Sequence, residues 1–284
     1  MRYELSDYEW SVIKPMLPNK PRGVPRVDDR RVLNGIFWVL RSGAPWRDLP
    51  ENYGPHTTCY NRFVRWRQAG IWDRIMNGLA TAHDAAMQMI DTSVVRVHQH
   101  GACIAEHHEQ HIGRSRGGLT SKVHVVVDAN GLPVRLGLTP GEAHDNRLCS
   151  VLLAGLRPQT IVLADRGYDA DWISDQGAWA NVLPKKNRRN SIDFSADLYR
   201  SRNLVERFSN KIKQCRRIAT RYDKLAAKYL AFIKLASIRL WIRTYESTPW
   251  SGLPVGKSAC PVEPPSAIIG GEAAIIGRDT PCGR

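Results

Sequence analysis

Three acids in this chain stand where phosphate chemistry could be done. Asp91 lies inside the apolar run MQMIDTSVVRV, and Asp165 follows the short apolar run TIVLA. A carboxylate in such a setting is costly to bury unless it is paired or binds a metal. Both runs read as strands, and ligands of open sheets gather outside the C-terminal strand ends. If the two strands are neighbours, the two carboxylates converge. Glu206, on a basic helical stretch, supplies a third. Oxygen-only donors favour hard ions such as Mg2+ or Mn2+. Two such ions roughly 3.5–4 Å apart activate the attacking oxygen and stabilise the leaving one in phosphodiester cleavage. The plain alternative is that each acid caps a helix or pairs with an arginine.

The stretch carrying Glu206 predicts one long basic helix over about 198–218, the alternative being that Ser201 caps it and leaves Tyr199 just outside. At about 100° per residue, Tyr199, Arg202, Glu206 and Lys213 fall within an arc of roughly 60°. Asn203, Asn210, Arg216 and Arg217 lie near its edge, and Leu204, Val205, Phe208, Ile212 and Cys215 occupy the opposite side. One side packs on a sheet, and the other presents a single acid among cations. Those cations suit phosphate.

The elements that must position these residues fall into three regions. Residues 1–85 read as helices with polar turns. Ser6 and Glu9 form a capping-box pattern, Asp28 or Asp29 caps a second helix, and Gly43 ends it. NKPRGVPR is a basic, Pro-rich loop between those helices. A third helix spans about His56–Ala69, and a fourth starts at Trp72. Arg62 and Arg65 on the third helix are candidate DNA contacts if it and the preceding helix act as a helix-turn-helix; the alternative is a packing helix with solvated arginines. Trp38, Trp46, Trp66 and Trp72 read as core. Residues 86–246 alternate strands and helices, including a hairpin at KVHVVVDANG and LPVRLGLTP, which suits a mixed sheet with helices on both faces. Residues 247–284 are rich in Pro, Gly and Ser and read as a poorly ordered tail.

Charge narrows the partners. Lys and Arg number 41 against 27 Asp and Glu, a net charge of +14. A basic surface of this kind attracts polyanions through counterion release. The opening MRYELSDYEW is charged where a signal peptide is apolar, and no run approaches a membrane span, so the reading is cytoplasmic. Cys59, Cys103, Cys149, Cys215, Cys260 and Cys282 form no CxxC pair and read as separate reduced thiols. His98, His100, His107, His108 and His111 with Cys103 meet no zinc-ligand spacing. GRSRGG reads as a basic, Gly-rich loop, suited either to a close approach to DNA or to plain flexibility. His144 is read as a sheet-edge hydrogen-bonding residue, with proton shuttling as the alternative.

Tyr199, Arg202, Glu206 and Lys213 also follow the spacing Y-x2-R-x3-E-x6-K. With IDTSVVRVHQH, GRSRGGLTSKVHVVVD, LTPGEAHD, LADRGYDAD and NLVERFSNKIKQCRRIATRYDKLAAKYLAF, the chain resembles bacterial insertion-sequence DDE transposases of the insertion-sequence-five type. LSDYEWSVIKPMLP, GIFWVLRSGAPWRDLP and RFVRWRQAGIWDRI resemble that family's helical leader, and the likeness covers about residues 4–245. It implies an α/β ribonuclease-H-like catalytic domain after an all-helical N-terminal DNA-binding region. It implies that Asp91, Asp165 and Glu206 are the catalytic, metal-holding triad for two Mg2+ or Mn2+ ions. Tyr199, Arg202 and Lys213 would then hold the transposon end, beside Asn210, Arg216 and Arg217. The implied partners are double-stranded DNA, as terminal inverted repeats and target, and further copies of the chain on that DNA. A nuclease of the same fold without strand transfer, and a non-catalytic DNA-binding repressor, remain the rival readings.

Overall fold

The computed structural model describes residues 3–18, 28–102, 110–168, 170–184 and 193–247. The NKPRGVPR loop, Cys103, His107, His108 and the tail beyond 247 lie outside the described residues. The chain opens with helices α1 (Asp7–Ile13), α2 (Asp29–Ser42), α3 (His56–Gln68) and α4 (Ile71–Ala80). The expected caps form. Ser6 and Glu9 close a capping box, Asp28 accepts from Arg30 N, and Gly43 takes the left-handed φ of 74° that ends α2. A Cβ at Gly43 would meet Arg216 Cβ at 2.8 Å, so glycine also permits the close approach of a distant segment there.

The sheet is built from β1 (Met87–Val97), β2 (Gly113–Ser115), β3 (Gly118–Asp128), β4 (Pro133–Pro140), β5 (Ile161–Ala164), β6 (Trp179–Val182) and β7 (Thr220–Arg221). Its main order is β2-β3-β1-β5-β6, with β4 also pairing β3 and β7 pairing β1. β4, β3 and β1 run antiparallel, whereas β1, β5 and β6 run parallel. That mixed sheet with flanking helices is the ribonuclease-H-like arrangement. Short helices α5 (Cys149–Leu152) and α6 (Ala170–Asp175) follow β4 and β5. Then come α7 (Ala196–Arg200), α8 (Asn203–Lys213), α9 (Arg216–Ala219) and the long α10 (Ala226–Ser247).

Strand alternation divides the core. Met89, Val123, Val125 and Leu163 face a large cluster that takes in α8, α10 and the N-terminal helices. Ile90, Val126, Val162 and Ala164 face a smaller one that includes Tyr168 and Ile173. Trp66 and Trp72 are buried, and Trp38 and Trp46 pack against the large cluster, as expected. Among the described residues, no helix is long and apolar enough to cross a membrane.

Two local expectations need correction. The basic stretch over 198–218 is not one helix. It breaks at Ser201–Arg202 and again at Gln214–Cys215, where Cys215 is extended at φ −81°, ψ 110°. The second break is imposed from outside, because the chain must turn to lay β7 beside Arg96 and Val97 of β1. GRSRGG is not an open loop either. It forms β2 and its tight turn into β3, with Gly118 at φ 95°.

Glu9 joins the first helix to the last. It is 1% exposed and accepts from Arg239 Nε at 2.8 Å and Arg243 Nε at 2.8 Å. Burial alone would raise its pKa, but Arg239 above all, with Ser6 N and Arg243, brings it below the usual value. A depressed carboxylate pKa gives stability that is present above the unfolded-state pKa and lost as pH falls through the folded one. Glu9→Gln is therefore expected to cost about 3 kcal/mol at neutral pH by stranding Arg239. Urea unfolding should show that gap closing in acid; a gap independent of pH would contradict the ionic role.

Candidate active site

β1 and β5 pair in parallel with Met87 opposite Ile161 and Met89 opposite Leu163. Two residues further on, the same register sets Asp91 level with Asp165, just past the end of β5. Met89 and Leu163 face the large core, so strand alternation turns Asp91 toward the same side. That is the side α8 covers, burying Val205, Phe208 and Ile212. Glu206, next to Val205, is left on the flank of the helix with its side chain 51% exposed. Asp165 Oδ1 accepts from Gly167 N at 2.8 Å, which tightens the turn after the strand.

Arg202 ties the acids together. Its Nη1 donates to Asp91 Oδ1 at 3.1 Å and its Nη2 to Glu206 Oε1 at 2.7 Å. Burial pushes the Asp91 pKa up and the charge of Asp165 adds to that; Arg202 opposes without cancelling it. For Arg202, burial disfavours the charge, but Asp91, Tyr199, Glu206 and Asp165 outweigh it and raise its pKa. Lys213 Nζ donates to Val94 O of β1 at 3.2 Å, and burial lowers its pKa, partly offset by Asp91. The ring of Tyr199 lies 5.8 Å from the Arg202 guanidinium. Tyr199 belongs to α7, not to the helix of Glu206, so the turn at Ser201–Arg202 gathers the four residues of the signature.

Two family models match this chain. The family model described as "Transposase DDE domain" matches residues 87–241, more than half of the chain. The chain belongs to the DDE transposases. A second model, "Putative transposase of IS4/5 family", matches residues 5–76 of this transposase. It is 38% identical over 130 residues to the "Putative transposase for insertion sequence element IS6501" of Brucella ovis, covering 44% of this chain and 100% of that protein. It is 29% identical over 137 residues to the "Putative transposase for insertion sequence element IS402" of Burkholderia cepacia, covering 43% and 62%. It also resembles the protein in "Crystal structure of a pre-cleavage Mos1 transpososome" at 12% identity and a TM-score of 0.21, over 80% of this chain and 82% of that one. A TM-score that low adds nothing to the sheet order.

The transposase places its other anticipated DNA contacts unevenly. Asn210, Arg216 and Arg65 are exposed. Arg62 is ion-paired with Asp29 of α2 and lies 5.3 Å from the Trp66 ring, so it braces α2 against α3. Arg217 departs most from expectation. It is 7% exposed and pairs through two hydrogen bonds of 3.1 Å with Asp223, which buries the guanidinium away from any phosphate. The His98 ring lies against those of His100 and Tyr222 in tilted contacts, with centroids at 4.8 and 5.0 Å. Among the described residues His144 makes no sheet-edge bond; its Nδ1 accepts from Asn146 N at 3.2 Å and starts a short 3-10 turn.

One polar group behind the acids escaped the sequence reading. Thr92 Oγ1 lies 2.9 Å from Tyr168 Oη and 3.2 Å from His124 Nδ1, and His124 Nε2 lies 2.7 Å from Thr139 Oγ1. The chain thus links the neighbour of Asp91 to a residue three beyond Asp165. His124 is fully buried, and burial lowers its pKa to about 4, so the ring is neutral. Thr120, Lys122 and His124, polar at every second position of an apolar strand, were the available signal. Lys122 shares the theme, donating to Asp145 Oδ1 at 2.9 Å. Thr92→Val removes the shared hydroxyl at constant shape and should cost about 1–3 kcal/mol, because buried partners lose their bond. Denaturant melts of Thr92→Val and Thr92→Ser check this, with recovery expected in the serine variant.

Proposed function

We propose that this transposase cleaves DNA at the ends of its insertion element and joins the freed 3′ hydroxyl to target DNA, using Asp91, Asp165 and Glu206 as metal-holding acids. The observation that carries the reading is the β1–β5 register, which brings Asp91 level with Asp165 on the side that α8 covers. Three carboxylates form a hard oxygen donor set that fits Mg2+ or Mn2+. Among the described residues, no three His, Cys, Asp or Glu side chains stand close enough to hold one ion together. The Arg202 guanidinium holds Glu206 to Asp91, so Glu206 becomes a third ligand only when Arg202 turns to another anion, and a DNA phosphate is the fitting one. Bound divalent ions supply a Lewis acid for the attacking and leaving oxygens. The chain's own residues do the rest. Asp91 and Asp165 concentrate negative charge at the sheet end, Arg202 and Lys213 offset it, and Tyr199 packs beside Arg202.

The test is nicking of a plasmid that carries the gene with its flanking DNA, with and without Mg2+, followed by an assay for joining to a second plasmid. Metal-dependent nicking and joining are expected. Nicking without joining favours the nuclease, and binding without nicking favours the repressor.

A further inference from the structure

A cleft away from the acids is lined by α2, the end of α8 and α10. It measures about 390 Å³, and Arg41, Lys211, Arg239 and Arg243 stand around it. Glu9, buried behind it, bonds to Arg239 and Arg243 and so balances one of these four charges. Phe37, Leu40 and Ile212 supply an apolar floor. Arg41 and Gln214 are shared with an adjoining hollow that reaches the exposed Arg216. The walls are tied to one another. Arg217 Nη1 donates to Ala44 O just beyond α2 at 3.2 Å, and Gly43 lies against Arg216.

We propose that this cleft binds the sugar–phosphate backbone of duplex DNA, as a second contact separate from the acids. The argument is charge and surface type together. Arg239 is committed to Glu9 and to the Tyr3 and Glu4 carbonyls, but Arg41, Lys211 and Arg243 along the rim match successive phosphates, and an apolar floor matches the deoxyribose between them. Lys211 lies five residues from Glu206, about 140° around α8. One helix therefore presents its acid to the triad and a cation to this cleft. DNA gripped here would be held at once by α2 of the N-terminal region and by α8, the helix that carries Glu206. The proposal rests on the reading of the chain as an enzyme acting on duplex DNA.

The test uses the full chain, a labelled duplex of arbitrary sequence and no divalent ion. Binding is followed by fluorescence anisotropy across a KCl series for wild type, Lys211→Gln and Arg41→Gln/Lys211→Gln. Each lost phosphate contact should shrink the slope of log affinity against log salt by about 0.9, so the double variant should lose about 1.8 and bind on the order of tenfold or more weakly. Lys211 is exposed, so the single variant guards against a folding defect from Arg41. An unchanged slope in both variants overturns the proposal. So does a variant that keeps the duplex slope but loses stabilisation by inorganic phosphate, which would mark a small-anion site. Wild type that nicks its element while the variants keep their slope sinks the cleft alone. Wild type that neither binds duplex nor nicks it sinks the cleft and the DNA reading together.

Discussion

Asp91→Asn is expected to abolish metal-dependent cleavage while the protein melts at the wild-type temperature or slightly above it. Losing a metal ligand should cost on the order of a thousandfold in rate, about 4 kcal/mol of barrier. Stability should behave oppositely, for a reason visible in the fold. Burial, with the nearby charge of Asp165, raises the Asp91 pKa despite Arg202, so the fold disfavours the ionised form. A neutral side chain of the same shape relieves that cost. Mg2+ separates the two effects. A ligand that binds only the folded state raises its stability, so wild type should melt higher with Mg2+ and Asp91→Asn should not. Full cleavage by the variant, or an undiminished Mg2+ shift, would falsify the role of Asp91.

Asp223→Ala is expected to lower stability by about 3–5 kcal/mol, because it strands a buried guanidinium. Arg217 and Asp223 have side-chain exposures of 8% and 7% and meet through paired bonds. Arg217 also bonds Ala44 O and lies 5.2 Å from the Phe232 ring, so it fastens α2 and α10 to α9. Its neighbour Arg216 is exposed. Two adjacent arginines should therefore give opposite results. Arg217→Ala should shift the urea midpoint strongly, whereas Arg216→Ala should leave it in place and lower the salt slope of DNA binding by about 0.9. If both variants shift the midpoint equally, or neither does, the assignment is wrong.

Much of this was legible in residue order because it depends on neighbours a few positions apart. Ser6 with Glu9, Asp28 and Gly43 announce helix ends through local backbone chemistry. The apolar run around Asp91 announces a strand, and the spacing from Tyr199 to Lys213 survives a break in the helix because the intervening turn is tight. Other features had no local signature. Whether Arg216 or Arg217 meets solvent depends on Asp223 and on Ala44, 173 residues away along the chain. The helix break at Gln214–Cys215 follows from β7 pairing with β1, not from poor helix formers. The level placement of Asp91 and Asp165 needed the pairing of β1 with β5, which no periodicity within either strand can specify. The cleft at Arg41 and Lys211 exists because an N-terminal helix docks beside α8. Side-chain direction within an element follows from its own period, whereas the partner of a charge is set by whichever distant segment packs against it.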